Sequence, residues 1–374
     1  MYSEEQKEYI DLIRKFGEKE IKPYNAEWDR NGEFPMGVYE KLFEMGLHLM
    51  DIPEKFGGLG LDKVTAGMMT EELAKYDAGI ATSISAVGLA FKPLIVAGTD
   101  EQKQIFSDLI GDGGFASFAL TEPSAGSDAG AVKTTAVYKN DNWTINGSKC
   151  FITCAEYAKV FTVIAQTDKS KGLRGLTAFM VEADRKGVSV GKEEDKMGIR
   201  TSNTCDVFFD EVCIPDSHRI GQIGDGFKIA MKTLDMARPV VGACAVGICQ
   251  ACVDICKEYM KTRIQFGRPI AALQGLQFML ADMEIATETA RAMVYKTLQM
   301  IEDGEPYSHA AAIAKCYAGD MAMKVSTDAV QILGGYGYSR EYPVEKLMRD
   351  AKIYQIFEGT NQVQRVVIAN NLLK

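Results

Sequence analysis

Three short segments hold residue types able to do chemistry. Ile356–Gln362 reads IFEGTNQ, so Glu358 is a lone carboxylate that follows an aromatic and precedes a glycine. Aromatic neighbours that strip water from a carboxyl raise its pKa and suit it to proton abstraction. Leu120–Asp128 reads LTEPSAGSD, which packs hydroxyls, a glycine and a proline at the end of a strand-like run. Such a turn can aim backbone N–H groups and hydroxyls at a polar ligand. Leu234–Pro239 reads LDMARP and sets Asp235 and Arg238 inside an apolar helical run, where unpaired charge is costly. Taken singly, the first two are equally readable as a helix boundary and an ordinary turn.

Other chemistries find less support. Cys244, Cys249, Cys252 and Cys256 have a spacing that superficially suits an iron–sulfur cluster, but they lie in an apolar run of helical period with no loop to wrap one. They are read as small core packers, as are Cys150 and Cys154. His48, His218 and His309 stand in no metal-ligand pattern, so no metal is expected. There is no phosphate loop, and Gly57–Gly60 and Gly334–Gly337 do not match the dinucleotide fingerprint. The formal net charge of −9 argues against a nucleic-acid partner. No run of 18 uninterrupted apolar residues is present, so no membrane span is expected. The acidic, amphipathic start, MYSEEQKEYIDLIRKFGEKEI, lacks the basic and apolar regions of a signal peptide, and the expected location is cytoplasmic.

The elements that must position these segments follow from periodicity. Helical spacing marks Glu4–Phe16, Pro35–Met45 and Val64–Tyr76, and Ala78–Val96 reads as a helix buried on all sides. Lys92 is an unexplained charge within it. After about Gly114 the pattern changes to short β-branched and aromatic runs: Phe115–Leu120, Thr134–Lys139, Asn142–Ile145, Val160–Thr167, Leu176–Val181 and Cys205–Phe209. Turn residues around Trp143–Ile145 predict antiparallel strands, and the lack of strand–helix alternation excludes a parallel Rossmann sheet. From Gly226 the helical period returns at Phe227–Leu234, Val240–Arg263, Leu273–Glu302 and Ala310–Ile332.

Together the segments resemble the acyl-CoA dehydrogenase family over essentially the whole chain. FALTEPSAGSD (Phe118–Asp128) resembles its first signature, and QILGGYGYSREYPVEKLMRDAKIYQIFEGT (Gln331–Thr360) its second. The similarity is greatest to the short- and medium-chain branch. It implies an α+β fold with a helical domain at 1–116, a central antiparallel β domain at 117–226 and a C-terminal helical bundle at 227–374. It also implies FAD, an acyl-CoA substrate, an electron-transferring flavoprotein as partner, and a homotetramer built as a dimer of dimers.

Roles carried over from the family fall on named positions. Glu358 matches the base that removes the α-proton of the thioester, the β-hydrogen then leaving as hydride to flavin N5 to give a trans-2-enoyl-CoA. Ala237 stands where some relatives carry the base instead. Phe118, Leu120, Thr121 and Ser127 match the flavin-contacting turn, and Phe151, Ile152 and Thr153 the strand packed on the flavin. Arg263, Phe266, Gln274, Gln331, Gly334 and Gly335 match residues that hold the FAD pyrophosphate and adenosine, partly from a neighbouring subunit. Thr360 and Gln362 match further FAD contacts. Ser127, Asp235, Arg238 and the backbone beside Glu358 at Gly359 match substrate contacts.

Phe151 and Phe357 depart from the Trp and Tyr of many relatives, and Ala81 replaces the arginine that glutaryl-CoA enzymes use for a distal carboxylate. The expected activity is dehydrogenation of a short- to medium-chain acyl-CoA. The rivals are an enoyl-CoA reductase running in reverse, an acyl-CoA oxidase and a non-catalytic flavin-fold binding module; the acidic charge and the intact Glu358 disfavour the last.

Overall fold

A computed structural model describes residues 3–373. Six α-helices come first: α1 (Glu4–Phe16), α2 (Asn25–Asn31), α3 (Met36–Glu44), α4 (Lys63–Tyr76), α5 (Ala78–Ala97) and α6 (Asp100–Ile110). Eight strands follow: β1 (Phe115–Ala119), β2 (Thr135–Lys139), β3 (Asn142–Thr153), β4 (Ala158–Gln166), β5 (Leu176–Glu182), β6 (Val188–Glu193), β7 (Thr204–Pro215) and β8 (Arg219–Ile220). The long helix α7 (Gly226–Thr262) leads to a small hairpin of β9 (Ile264–Gln265) and β10 (Arg268–Pro269). Helices α8 (Gln274–Glu302), α9 (Ser308–Leu333), α10 (Val344–Ala351) and α11 (Asn361–Leu372) complete the chain. The order is the helical, β, helical one expected from the sequence.

The sheet order is β6-β7-β3-β2-β4-β5-β8, with β1 pairing β4. Most neighbours are antiparallel, but β1 runs parallel to β4, and β2 meets β4 in parallel at Thr135–Gln166. The β2–β3 hairpin turns on Asn140 and Asp141, at φ 51° and 61°, as the tight turns that suit strand twist require. Strand β3 is longer than its sequence suggested. Asn146-Gly147 reads as a turn, yet the structure makes it a bulge, with a register shift between Ile145 and Gly147, and the strand continues to Thr153. That extension carries Phe151–Thr153 to the end of β1.

Helix α7 also differs from its expected form. The helical runs Phe227–Leu234 and Val240–Arg263 are one helix of 37 residues that passes through Pro239. Proline removes one intrahelical hydrogen bond, to the Asp235 carbonyl. Burial of both halves against α4, α5, α8 and α9 outweighs that loss. At Gly247 a Cβ would stand 2.4 Å from the Glu71 carbonyl oxygen, so glycine allows α4 to cross closely. Helices α5 and α7 are long and apolar enough to cross a membrane by length and composition, and most of each is buried inside this fold. Cys244, Cys249, Cys252 and Cys256 belong to the same buried cluster, where burial pushes the Cys244 thiol up to about 12.

Candidate active site

Glu358 sits in the loop between a 3-10 turn (Lys352–Gln355) and α11. Its φ is +52°, rare for a side-chain-bearing residue, and Gly359 follows at +89°. Two side chains hold this conformation by its carbonyls. Gln364 Nε2 donates to the Glu358 and Gly359 oxygens at 3.3 and 2.9 Å. Lys315, a fully buried residue of α9, donates from Nζ to the Gly359 oxygen at 2.8 Å and to Asn361 Oδ1 at 2.9 Å. The backbone N–H of Glu358 has no acceptor among the described residues.

The Glu358 carboxyl is sealed from solvent at Oε2, which has no hydrogen-bond partner. Burial pushes its pKa up to about 7, against the pull of Lys92, Lys315 and Arg238. The upward shift has the sign expected from desolvation. Phe357 packs edge-on to Tyr354, whose hydroxyl lies 2.9 Å from Thr82 Oγ1 and so ties this segment to α5. On α7, Arg238 Nη1 pairs with Asp235 Oδ1, while Arg238 Nε is buried without a partner. Arg238 is only 4% exposed, and burial lowers its pKa. Two buried polar atoms on groups of opposite charge, Glu358 Oε2 and Arg238 Nε, thus lack a partner among the described residues.

The turn after β1 is braced from beneath. Lys149 Nζ, with a side chain wholly shielded from solvent, donates to Glu122 Oε1 at 2.8 Å, to the Leu120 oxygen at 3.1 Å and to the Ile164 oxygen at 2.7 Å. Burial draws Lys149 down to about 8, and the ammonium beside it holds Glu122 below its usual range. Glu122 also accepts from the N–H groups of Lys133 and Thr134 at 2.7 and 3.0 Å. The Thr121 oxygen accepts from Cys150 N at 2.9 Å, so the turn lies beside the end of β3. Phe118, Leu120, Thr121, Phe151, Ile152 and Thr153 are therefore gathered at one end of the sheet. Phe151 leaves 65% of its surface exposed at φ +56°, presenting an aromatic face, and Ser127 is exposed.

A second region lies at the far end of α7. Arg263, Phe266, Gln331, Gly334 and Gly335 line one open groove of ≈ 670 Å³, with Tyr259 and Tyr336. The Arg263 guanidinium lies over the Tyr336 ring, 5.0 Å from its centroid, and Phe266 is 88% exposed. Gln274 is exposed at the start of α8 and does not line the groove. Arg263 follows Arg238 by 25 residues, about 37 Å along the helix, so the groove and the Glu358 region are separate within one chain. Thr360 caps α11 by accepting from Val363 N at 3.2 Å, and Gln362 is exposed beside it.

Sequence reasoning missed Lys315, Lys149 and the partner of Lys92. Lys315, Lys149 and Lys92 each stand alone in a run of small or apolar residues, which is the signal that could have found the first two; Asp51, the partner of Lys92, carries none.

An unpartnered buried carboxyl, an exposed aromatic beside a hydroxyl-rich turn and an arginine-bearing groove fit a flavin dinucleotide and a thioester. Family models for the acyl-CoA dehydrogenase N-terminal, middle and C-terminal domains match residues 3–137, 117–212 and 224–373. The chain is 45% identical to the short-chain-specific acyl-CoA dehydrogenase of Megasphaera elsdenii, over 99% of this chain and 98% of that one. It superposes with a TM-score of 0.97 on butyryl-CoA dehydrogenase from Megasphaera elsdenii, at 44% identity, covering 100% of this chain and 99% of that one. The same score, at 45% identity and the same coverage, relates it to a chain solved in work on the electron-transferring flavoprotein of Acidaminococcus fermentans and flavin-based electron bifurcation. The chain belongs to the acyl-CoA dehydrogenase family, whose members are FAD enzymes.

Proposed function

We propose that the chain oxidises the Cα–Cβ bond of a short- to medium-chain acyl-CoA to the trans-2-enoyl-CoA, with Glu358 as the base, and passes electrons to an electron-transferring flavoprotein. The observation that carries this reading is the half-buried Glu358 carboxyl, shielded and unpartnered at Oε2, with a free N–H on its own backbone. Proton removal from carbon needs a base that is ionised at neutral pH yet poorly solvated, and a pKa of about 7 meets both demands. The Glu358 N–H is free to hold the thioester carbonyl and stabilise enolate charge at the α-carbon. FAD, when bound, supplies the acceptor for the β-hydrogen as hydride.

Phe118, Leu120, Thr121, Ser127, Phe151, Ile152, Thr153, Thr360 and Gln362 are assigned to the flavin, and Asp235, Arg238, Ser127 and Gly359 to the substrate. The groove at Arg263, Phe266, Gln331, Gly334 and Gly335, with Gln274 nearby, is assigned to the FAD of a neighbouring subunit in a homotetramer. Its separation from Glu358 along α7 supports that arrangement. The test is anaerobic addition of butyryl-CoA to the purified flavoprotein. The visible flavin band should bleach; a band left intact by every member of an acyl-CoA panel overturns the reading.

Two further outcomes follow from the same groups. Arg238→Ala should weaken acyl-CoA binding about 10- to 150-fold, since a hydrogen bond to a charged group is worth about 1.5–3 kcal/mol. Titration of the flavin absorbance with acyl-CoA measures it. Glu358 must be ionised to accept a proton, so kcat/KM should rise with pH to a plateau above about 7. Lys315→Met removes a cation that favours the ionised carboxyl, so the midpoint of that rise should move upward, while Lys315→Arg should hold it near the wild-type position. The pH dependence of kcat/KM for all three proteins decides it.

A further inference from the structure

Lys92 is nearly fully buried on α5, and its Nζ donates to Asp51 Oδ2 at 2.7 Å. Lys63 Nζ reaches the other oxygen of Asp51 at 3.4 Å. The carboxylate approaches α5 over Gly88, where a Cβ would lie 2.1 Å from Asp51 Oδ2. Gly88 and Lys92 share one face of the helix at i, i+4, so the glycine makes the room that the ion pair occupies. Asp51, Gly88 and Lys92 line a small cavity with Ile84 and Ser85 of α5 and Met236 and Val240 of α7. Its enclosed space is ≈ 20 Å³, room for about one water molecule.

Phe357, beside Glu358, packs on Tyr354, whose hydroxyl lies 2.9 Å from Thr82 Oγ1; Thr82 stands one turn of α5 before Ser85 on the cavity wall, so the cavity lies next to the segment that carries Glu358. Lys92 also favours the ionised form of Glu358. We propose that an acyl chain with its α-carbon at Glu358 lays its tail between α5 and α7 toward Asp51, so that the Asp51–Lys92 ion pair is the inner end wall of the acyl pocket and makes the chain select short acyl groups, of butyryl size, against longer apolar ones. The inference rests on the acyl-CoA reading above.

The physical reason is desolvation. A methylene pressed against a buried ion pair gains none of the apolar contact that favours burial, and it displaces any water that solvates the charges. The neighbouring hydroxyls are already satisfied, Thr70 by the Ala66 oxygen at 2.8 Å and Ser85 by the Ala81 oxygen at 2.8 Å, so the charged pair is what an advancing tail meets.

The experiment compares kcat/KM for octanoyl-CoA and butyryl-CoA in the wild-type flavoprotein and in variants. Lys92→Met keeps the side-chain length and removes the charge; Asp51→Asn with Lys92→Met removes both charges and leaves no buried carboxylate unpaired. Either should raise the octanoyl-to-butyryl ratio about tenfold or more, the scale on which apolar pockets discriminate. Lys92→Arg keeps the pair and should keep the ratio low. Titration of the flavin absorbance with octanoyl-CoA should show the matching gain in affinity. The inference is overturned if the wild type already turns over octanoyl-CoA as well as butyryl-CoA, or if the flavin-loaded variants lose both substrates in proportion. A wild type whose flavin none of the acyl-CoAs reduces defeats the functional reading instead.

Discussion

Glu358→Gln should leave FAD bound and slow anaerobic flavin reduction by acyl-CoA about 10²- to 10⁴-fold, the usual cost of losing a general base. Gln keeps the volume and a carbonyl acceptor but cannot take a proton at neutral pH. The turn that carries residue 358 should survive, because it is held through its carbonyls by Gln364 and Lys315 and not through the carboxyl. Ligand binding should survive as well, since the thioester carbonyl is assigned to the backbone N–H. Replacing the carboxyl also relieves a buried group with no partner at Oε2, so stability should hold or rise slightly. Stopped-flow bleaching of the Gln variant at a rate near wild type would assign the base elsewhere. Ala237, at the alternative position, offers no second carboxylate.

Lys346→Met should destabilise the fold by about 3–5 kcal/mol at neutral pH, the cost of stranding buried carboxylates. Lys346 Nζ on α10 bridges Asp77 Oδ2 at 2.9 Å and Asp350 Oδ2 at 2.7 Å, and all three side chains are buried. Asp77 Oδ1 caps α5 by accepting from Gly79 N and Ile80 N at 2.9 and 3.0 Å, and Thr201 Oγ1 donates to it at 2.5 Å. Asp350 Oδ1 accepts from Ile199 N at 2.6 Å. One ammonium therefore joins the N-terminal helices, the loop before β7 and the helix that leads to Glu358.

The pH dependence has a definite sign. Burial already holds Asp350 above its usual range while Lys346 pulls it down. Without the ammonium the folded-state pKa rises further above the unfolded value. Such a carboxyl favours the folded state while protonated and loses that contribution as pH rises through the folded pKa. The deficit should accordingly shrink on acidification from pH 8 to pH 5. Urea unfolding at both pH values tests it, and a constant deficit would mean the carboxylates relax into solvent. Lys346→Met combined with Asp350→Leu should recover part of the loss, because one stranded charge is gone.

The order of helices, strands and helices was legible from the chain alone, because hydrophobic period and turn residues act over a few neighbours. So were the turn at Leu120–Ser127, the Asp235–Arg238 pair at i, i+3 and Glu358 with its aromatic neighbour, each carried by one contiguous segment. Asn146-Gly147 misled for a related reason. It is a local breaker whose effect is decided by what packs against it: pairing with β7 turns the glycine into a bulge. The lysines that brace the site were visible only as odd charges, since their partners lie far along the chain. Lys149 finds Glu122 across 27 residues, Lys92 finds Asp51 across 41 and Lys315 finds the Gly359 oxygen across 44. Burying a charge is tolerable only with its partner in place, and that partner is set by how helices and sheet pack, which no local pattern encodes. Residue types and period thus determined the class of fold, and the family resemblance pointed to Glu358 as the base; tertiary packing alone decided that carboxyl's exposure and its pKa.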